Sequence, residues 1–372
     1  MKRVFVIVCT AFFIFSSSFA LAATMRIGLM APLTGAFASE GEDMRRIVEL
    51  LAEEVNKNGG IRGNLVEIVV QDDGSDARTA ALAAQRLASS GVKYVIGTYG
   101  SAVTEASQTI YNRNKILQVA TGSTAIRLSS KGFKLFFRTC PRDDEQGSVA
   151  VATINNMGFK NVAVVHDNSA YGKGLADEIK DGLEKSNQAK IVAFTAIQPN
   201  ESDYNAILIR LKNINPDLIF FTGYYAEAGT LLRQMKGMNW QVPMIGGDAT
   251  NNTDLVKIAG LEAVSGYHFV SPPMPSDLDS SQAKDFIAHY KSKYTAMPRS
   301  VWSVAAGDAF KVIVEGIKAI GEDPEAIADY LHNNFKDYEG LTGKIAFDQN
   351  GDRMGDLYRL YKVNEKGEFI MQ

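Results

Sequence analysis

The sequence predicts an α/β protein with two Rossmann-like lobes, each built on a mainly parallel sheet. The chain has 372 residues, which is long for one hydrophobic core because cores stop growing near ~250–300 residues. Short apolar runs alternate with segments whose apolar residues recur at helical spacing, a pattern typical of βαβ units. The alternation restarts after Pro141, so we expect two successive arrays of similar architecture.

The first array contains four predicted strands and three predicted helices. Apolar residues from Met44 to Val55 fall on one helical stripe, and the sequence Asn58-Gly59-Gly60 ends that helix. In the second helix, Leu82 and Leu87 are expected to point inward. The strands are predicted at 26–31, 65–70, 94–97 and 116–120, and the helices at 44–55, 77–90 and 102–113.

The second array continues the same alternation and then changes character. Residues 271–275 are rich in proline and are expected to form a crossover between the lobes, and the chain is expected to end in an antiparallel hairpin of residues 344–347 and 357–363. Before the hairpin we predict strands at 162–165, 191–196, 218–222 and 242–245, and helices at 149–157, 174–183, 204–214, 227–238, 283–294, 303–320 and 325–333.

The first 23 residues have the pattern of a secretory signal peptide. Lys2 and Arg3 precede an apolar run at 4–15, and residues 20–22 form a small-x-small cleavage site. The alternative, a membrane anchor, would need ~20 apolar residues, more than this run provides. We therefore predict that residues 1–23 are removed on export to the periplasm, without a lipid anchor.

Composition and motifs exclude several classes of function. A formal net charge of −3 provides no basic surface for nucleic acid. The four histidines lack metal-ligand spacing, residues 348–352 lack the final glutamate of a calcium loop, and no phosphate-binding loop is present. Cys140 has no histidine within twenty residues and is expected to be a buried thiol. We therefore expect no metal, no cofactor and no enzymatic activity.

Two glycine-rich loops of the first array are candidate binding elements. Ligands of parallel sheets bind at the carboxyl ends of the strands, and here Ser101, Gly122, Ser123 and Thr124 follow two of the predicted strands. Their hydroxyl and N–H groups, beside a helix N-terminus, could bind a carboxylate. The pattern alone favours the alternative, in which Ser101 and Thr124 cap helices.

In the second array, Tyr171, Tyr224 and Asp248 stand at comparable strand ends. Tyrosines at a cleft provide flat apolar walls with a polar tip, and an aspartate there could pair with an ammonium group. Taken separately, each of these residues is more often a helix cap or a residue of the cleft rim. Their common placement is what indicates a binding site.

Beyond residue 23, the chain resembles a known family across nearly its whole length. The family is that of the leucine/isoleucine/valine-binding proteins, the substrate-binding proteins of ABC importers. The matching motifs are IGLMAPLTG at 27–35, NGGIRG at 58–63, Asp72-Asp73, GVKYVIG at 91–97, FRT at 137–139 with Asp143 and Gln146-Gly147, His166-Asp167, YGKG at 171–174, GYYAEAG at 223–229, and Gly343 with the closing hairpin.

The resemblance implies a type I periplasmic binding fold, in which two lobes joined by a three-segment hinge close on a ligand. It implies a carboxylate site at Ser101, Thr124 and the backbone of Gly122 and Ser123, aromatic walls at Tyr171 and Tyr224, and an ammonium site at Asp248. The first lobe is then expected at 24–142 and 272–341, and the second at 143–271 and 342–372. An ABC permease of the inner membrane is the expected partner, and the protein is expected to be a monomer.

Three departures from the family pattern affect the expected ligand. Ser75 and Gly100 replace a disulfide that some relatives have. Glu40 stands before the glycine of an early loop where relatives with branched-chain ligands often have an aromatic residue, so we include it among the candidate ligand-binding residues. Aspartate at position 248 replaces glutamate.

The function expected from these features is capture of an amino acid for an ABC importer. One alternative is the same fold with an amide, a urea, an aromatic acid or another small polar solute as its ligand. A ligand sensor is a further alternative, against which the signal peptide and the end of the chain at Gln372 weigh. An exported hydrolase would need a nucleophile and a base, and the sequence offers no such pair.

Overall fold

The structure is a computed structural model that describes residues 24–372, so the predicted signal peptide lies outside the described residues. The first part of the chain alternates strands and helices as predicted. Its elements are β1 (Thr24–Ala31), α1 (Ala38–Lys57), β2 (Leu65–Asp72), α2 (Ala77–Ser89), β3 (Tyr94–Ile96), α3 (Ser101–Arg113), β4 (Leu117–Ala120) and β5 (Phe136–Arg138). The five strands form one parallel sheet in the order β2-β1-β3-β4-β5, which organises the first lobe.

The second lobe follows directly. Its elements are α4 (Asp143–Asn156), β6 (Asn161–His166), α5 (Ala170–Ser186), β7 (Lys190–Ala196), α6 (Asn205–Ile214), β8 (Leu218–Thr222), α7 (Tyr225–Gly237), β9 (Met244–Gly246), α8 (Asp254–Ala259), α9 (Leu261–Val264) and β10 (His268–Ser271). The five strands of this segment pair in parallel in the order β7-β6-β8-β9-β10.

The remaining segment serves both lobes. It comprises α10 (Ser281–Tyr294), α11 (Val301–Ile320), α12 (Pro324–Asn333), β11 (Tyr338–Gly340), β12 (Gly343–Ile345), β13 (Arg359–Val363) and β14 (Phe369–Met371). Helix α11 packs against α1, β3 and β4 of the first lobe, whereas β13 and β14 extend the second sheet antiparallel to β10. The chain therefore crosses between the lobes three times, as the predicted fold requires.

The predicted terminal hairpin is wrong in its pairing. Strand β12 pairs with β11, and β13 pairs with β10 and β14. The ring of Phe347 packs on Phe137 of the first lobe at 5.1 Å between centroids, and Asp352 forms an ion pair with Arg138. These contacts place residues 342–353 beside the first lobe, whereas the sequence prediction assigned them to the second.

Burial follows the predicted helical stripes with one exception. Met44, Ile47 and Val48 of α1 are fully buried, and so is Leu87 of α2, but Leu82 is half exposed and its predicted inward position is wrong. Cys140 is a buried free thiol, as expected. Within residues 24–372, no helix combines the length and the apolar character needed to cross a membrane.

Candidate functional site

The carboxyl ends of the two sheets face one cleft, and this cleft is closed. The ring of Phe37 in the first lobe lies 4.5 Å from that of Tyr224 in the second, measured between centroids. Tyr225 donates a hydrogen bond from its hydroxyl to the carbonyl oxygen of Ala36, at 3.0 Å. Residues at the two inner walls are therefore buried by contact between the lobes.

Ser101 and Ser123 use their hydroxyls to fix the two predicted binding loops. Ser101 begins α3, and its Oγ accepts a hydrogen bond from the N–H of Ala125 at 3.3 Å. Ser123 shares a 2.6 Å hydrogen bond with the hydroxyl of Thr104. Gly100, not Ser101, occupies the N-cap position of α3. The capping alternative is therefore wrong for Ser101, whose side chain ties one loop to the other.

Thr124 lies between these loops with its hydroxyl unused. The residue is fully buried, and its Oγ1 has no hydrogen-bond partner among the described residues. The hydroxyl of Tyr99 is buried and unpartnered in the same sense. A Cβ on Gly122 would lie 2.7 Å from Cδ2 of Tyr99, so glycine at 122 allows the ring to pack closely over the loop. Buried polar groups are normally hydrogen-bonded, so these two hydroxyls are available to the polar groups of a ligand.

The opposite wall carries the three residues predicted in the second lobe. Tyr171 and Tyr224 are buried, and their ring centroids are 5.5 Å apart. Asp248 is buried directly after β9, and its Oδ2 accepts a 2.7 Å hydrogen bond from the hydroxyl of Tyr358. The structure therefore brings Tyr171, Tyr224 and Asp248 together, and it adds Tyr358, which the sequence analysis did not select.

Asp143 is a second buried carboxylate, and it lies next to Thr124, whose carbonyl oxygen accepts a hydrogen bond from the N–H of Asp143 at 3.0 Å. It begins α4, its Oδ1 accepts a hydrogen bond from Gln146 at 3.3 Å, and its Oδ2 has no partner among the described residues. Burial raises the pKa of Asp143 and of Asp248, and the charge of Asp248 raises the pKa of Asp143 further. Two neighbouring buried carboxyls of this kind favour a bound cation, because a positive charge would stabilise the ionised form of each.

Asp143 matches the family pattern, but no local sequence pattern marks it as a binding residue. It precedes Asp144 and Glu145, and acidic residues are common in the first turn of a helix because they complement the helix dipole. The sequence pattern therefore gave no reason to separate Asp143 from its neighbours. Its burial and its unpartnered oxygen are visible only in the folded chain.

Arg138 supports the binding loops from behind. Its buried guanidinium donates to the carbonyl oxygens of Ser123 and Ala125 at 2.9 and 3.0 Å. Its Nε pairs with Oδ1 of Asp352 at 2.6 Å. The positive charge is therefore neutralised within the protein, and Arg138 acts by holding the loop that contains Thr124.

Glu40 lies inside the closed cleft and contacts the other lobe. Its carboxylate accepts hydrogen bonds from the hydroxyl of Ser300 at 2.7 Å and from Nδ2 of Asn252 at 3.0 Å. The side chain is fully buried, and this burial raises the pKa of Glu40 to about 7. Both oxygens of Glu40 are therefore occupied by protein donors.

A groove of about 330 Å³ opens beside this interior. Of the eight predicted site residues, Tyr224 alone lines it. Ser75 and Gly100, which stand where some relatives have a disulfide, both border the groove. Among residues 24–372, no group of three histidine, cysteine, aspartate or glutamate side chains could hold a metal ion.

The chain forms two α/β lobes, crosses between them three times, and encloses unpartnered polar groups in the closed cleft. This arrangement defines a solute-binding protein of the clamshell type. The chain belongs to the periplasmic binding protein family, whose sequence profile matches residues 24–368.

Similar proteins agree with this assignment along almost the whole chain. The leucine-, isoleucine-, valine-, threonine- and alanine-binding protein of Pseudomonas aeruginosa is 34% identical over 350 residues, which cover 93% of this chain and 92% of that protein. The Leu/Ile/Val-binding protein of Escherichia coli K12 is 31% identical over 352 residues, 94% of each chain.

Among solved structures, the branched-chain amino acid transporter substrate binding protein of Streptococcus pneumoniae in complex with isoleucine superposes with a TM-score of 0.85. It has 27% sequence identity, and the match covers 94% of this chain and 100% of that one.

Proposed function

We propose that the protein binds an aliphatic α-amino acid between its lobes and delivers it to an ABC permease of the inner membrane. One observation carries the proposal. The unused hydroxyl of Thr124 and the N-terminus of α3 lie on one wall of the closed cleft, and the buried carboxyl of Asp248 lies on the other. The buried carboxyl of Asp143 lies next to Thr124, whose carbonyl oxygen accepts a hydrogen bond from the N–H of Asp143 at 3.0 Å. An amino-acid zwitterion carries the complementary charges.

The ligand carboxylate binds at the first wall. The hydroxyls of Ser101 and Thr124 and the backbone of Ser123 offer hydrogen-bond donors, and the positive end of the α3 dipole favours an anion there. The N–H of Gly122 donates instead to the carbonyl oxygen of Thr98 at 3.4 Å, so Gly122 contributes by its small size. Because closure removes water from the site, these contacts become charge-assisted hydrogen bonds, which are about twice as strong as neutral ones.

The ligand ammonium binds at the second wall. Asp248 accepts its N–H groups there, Asp143 is a second acceptor at the side of Thr124, and Tyr171 and Tyr224 enclose the ammonium with their rings. A solute without an amine, such as an amide, a urea or an aromatic acid, would leave both carboxyls without a cation. Burying a charge without a partner is costly, and this disfavours the alternative ligands.

The side chain of the ligand is proposed to be of the branched-chain type. Relatives named for leucine, isoleucine and valine support this choice. Glu40 does not oppose it, because both of its oxygens are already bonded to Ser300 and Asn252. A cationic ligand side chain is therefore not needed to satisfy Glu40.

Export and a monomeric state complete the proposal. Residues 1–23 are removed, so that the mature protein acts in the periplasm. Since both walls of the site come from one chain, a monomer is sufficient for binding. Sequencing the N-terminus of the exported protein tests the cleavage, which is expected near Ala22–Ala23. A mature product that begins at Met1 would contradict it.

Mass spectrometry of the ligand released from gently denatured native protein tests the proposed solute. A thermal-shift comparison of leucine, isoleucine and valine with benzoate and acetamide complements it, because a ligand that binds only the folded state raises the melting temperature. We expect an unmodified aliphatic amino acid and a shift with the amino acids alone. A shift produced only by an amine-free solute, or recovery of a chemically converted ligand, would contradict the proposal.

A further inference from the structure

The groove beside the amino-acid site is a second compartment of the cleft. Its volume of about 330 Å³ falls at the lower end of the ~300–1,000 Å³ that is typical of small-molecule sites. Phe37 and Val103 of the first lobe and Tyr224 and Pro199 of the second provide apolar surface. Since the ring of Tyr224 also packs against Tyr171, Tyr224 stands between the two compartments.

The polar lining of this groove is acidic. Asp167 and Glu227 of the second lobe are 1% and 3% exposed, and Asp76 lies on the opposite wall. Of the described residues that line the groove, none is a lysine or an arginine. The acidic side chains therefore have no basic neighbour within the groove.

Glu227 provides a buried acceptor at the groove that no donor within residues 24–372 uses. Its Oε1 accepts a hydrogen bond from the N–H of Asn200 at 3.1 Å, but its Oε2 is buried and has no partner among the described residues. Leaving a buried acceptor unsatisfied costs roughly 1–3 kcal/mol, and more for a charged group. A positively charged donor in the groove would satisfy it.

We propose that the groove binds an alkylammonium group, with its N–H groups on Glu227 and Asp167 and its carbon chain against Phe37 and Tyr224. Carboxylates and aromatic faces together suit an organic cation, which aromatic rings attract electrostatically. A metal ion fits less well, because these acids do not gather into a three-ligand group among residues 24–372. Since both lobes line the groove, a bound ammonium favours the closed form.

The groove is distinct from the proposed amino-acid site, because Tyr224 alone among the residues assigned to that site lines the groove. The ammonium group could belong to a separate amine or to the distal end of an amino acid held in the neighbouring site. Two probes distinguish these sources. n-Butylammonium represents a separate amine, and lysine compared with norleucine reports on a distal ammonium.

The test is titration calorimetry with wild type, Glu227→Gln and Glu201→Gln, with and without saturating leucine. Glutamine at 227 keeps the acceptor for Asn200 but loses the charge. Glu201 is exposed and does not line the groove, so its variant is a control with the same change in net charge. We expect Glu227→Gln to weaken binding roughly tenfold or more, the scale of one hydrogen bond to a charged group, and Glu201→Gln to stay within about twofold of wild type.

If Glu227→Gln saturated with leucine binds n-butylammonium more weakly than wild type does, the groove takes a separate amine. If Glu227→Gln binds lysine more weakly than wild type but norleucine equally well, the groove takes the distal ammonium of an amino acid. The inference is overturned if neither probe binds wild type, if Glu227→Gln binds both like wild type, or if the two variants weaken binding equally. Asp167→Asn replaces Glu227→Gln if the latter fails to fold. Failure of leucine to bind, with n-butylammonium binding intact, would contradict the proposed amino-acid ligand alone.

Discussion

Glu40 and Asn252 are joined by a 3.0 Å hydrogen bond across the closed cleft. Glu40 belongs to α1 of the first lobe, while Asn252 lies in the segment between β9 and α8 of the second. Ser300 holds the other carboxylate oxygen at 2.7 Å. Because the bond joins the two lobes, it contributes to the closed form and is lost when the cleft opens.

The first prediction is that this contact makes the closed protein sensitive to pH. Burial raises the pKa of Glu40 from 4.5 to about 7, so between these values the closed protein binds a proton that the unfolded chain releases. The stabilisation that this bound proton contributes is fully present below about pH 4.5 and is lost as the pH rises through about 7. The free energy of unfolding of leucine-saturated protein should therefore fall over this range, and urea titrations at several pH values measure it.

Glu40→Gln should reduce the slope of the free energy of unfolding against pH, because glutamine can still accept a hydrogen bond from Ser300 but does not titrate. The slope should not vanish, since burial also raises the pKa of Asp73 to about 7 and that of Asp167 to about 6. Glu201→Gln, at an exposed position, should leave the slope unchanged. An identical slope in wild type and Glu40→Gln would contradict the prediction.

The second prediction concerns the ammonium site. Asp248→Asn keeps an acceptor for the hydroxyl of Tyr358 but removes the charge that the ligand ammonium requires. Removing one partner of a buried charged pair costs about 2–5 kcal/mol of binding free energy, so leucine affinity should fall by a factor of roughly 30 to several thousand. Titration calorimetry measures the loss, and Asp181→Asn at an exposed position of α5 is the control. Wild-type affinity in a folded Asp248→Asn variant would mean that the ammonium assignment is wrong.

The third prediction concerns closure. Leucine should lower the radius of gyration in small-angle scattering, because a ligand held by both lobes shifts the population towards the closed form. Tyr225→Phe removes the 3.0 Å bond to the carbonyl of Ala36. It should weaken leucine binding by about 0.5–1.5 kcal/mol, the net value of one neutral hydrogen bond. A scattering profile that is unchanged at saturating leucine would exclude the clamshell motion.

The sequence predicts the helices and strands that depend on local residue patterns. The apolar stripe of α1 and the alternation of strands and helices predicted most elements to within a few residues. Strands β5 and β10 are not predicted because each contains only two apolar residues, too few to form an apolar run. The terminal hairpin was mispaired because turn chemistry identifies a turn but not the strands that flank it in space.

The site is predicted only in part, because some of its residues meet only through tertiary contacts. Ser101, Thr124, Tyr171, Tyr224 and Asp248 stand at strand ends, a position that the sequence reveals. Tyr99, Asp143 and Tyr358 join them only because distant segments fold together. Whether a hydroxyl is free, as in Thr124, or occupied, as in Ser123, depends on tertiary contacts that no local pattern encodes.

The fourth prediction concerns the buried ion pair behind the binding loops. The Arg138–Asp352 pair is buried, with 0% and 3% of the side chains exposed, and breaking a buried pair by removing one partner costs about 3–5 kcal/mol. Arg138→Met should lower the free energy of unfolding by this amount in urea titrations. Arg359→Met disrupts an exposed pair with Asp356 and should cost less than about 1 kcal/mol. Equal losses in the two variants would contradict the role of burial.

The last prediction concerns the close packing of Gly122 on Tyr99. A Cβ at 122 would lie 2.7 Å from Cδ2 of the ring and 3.1 Å from the carbonyl oxygen of Tyr99, so Gly122→Ala must displace the ring or the loop that carries Thr124. Overpacking of this kind costs about 1–3 kcal/mol, and we expect it as a loss of leucine affinity in titration calorimetry. Gly174→Ala in α5 is the matched control, because its new Cβ meets nothing within 4 Å. That variant should bind leucine like wild type and gain roughly 0.5–1 kcal/mol of stability, since alanine is the better helix former. If Gly122→Ala also keeps wild-type affinity, the loop at 122–124 does not contact the ligand, and the carboxylate must bind elsewhere in the cleft.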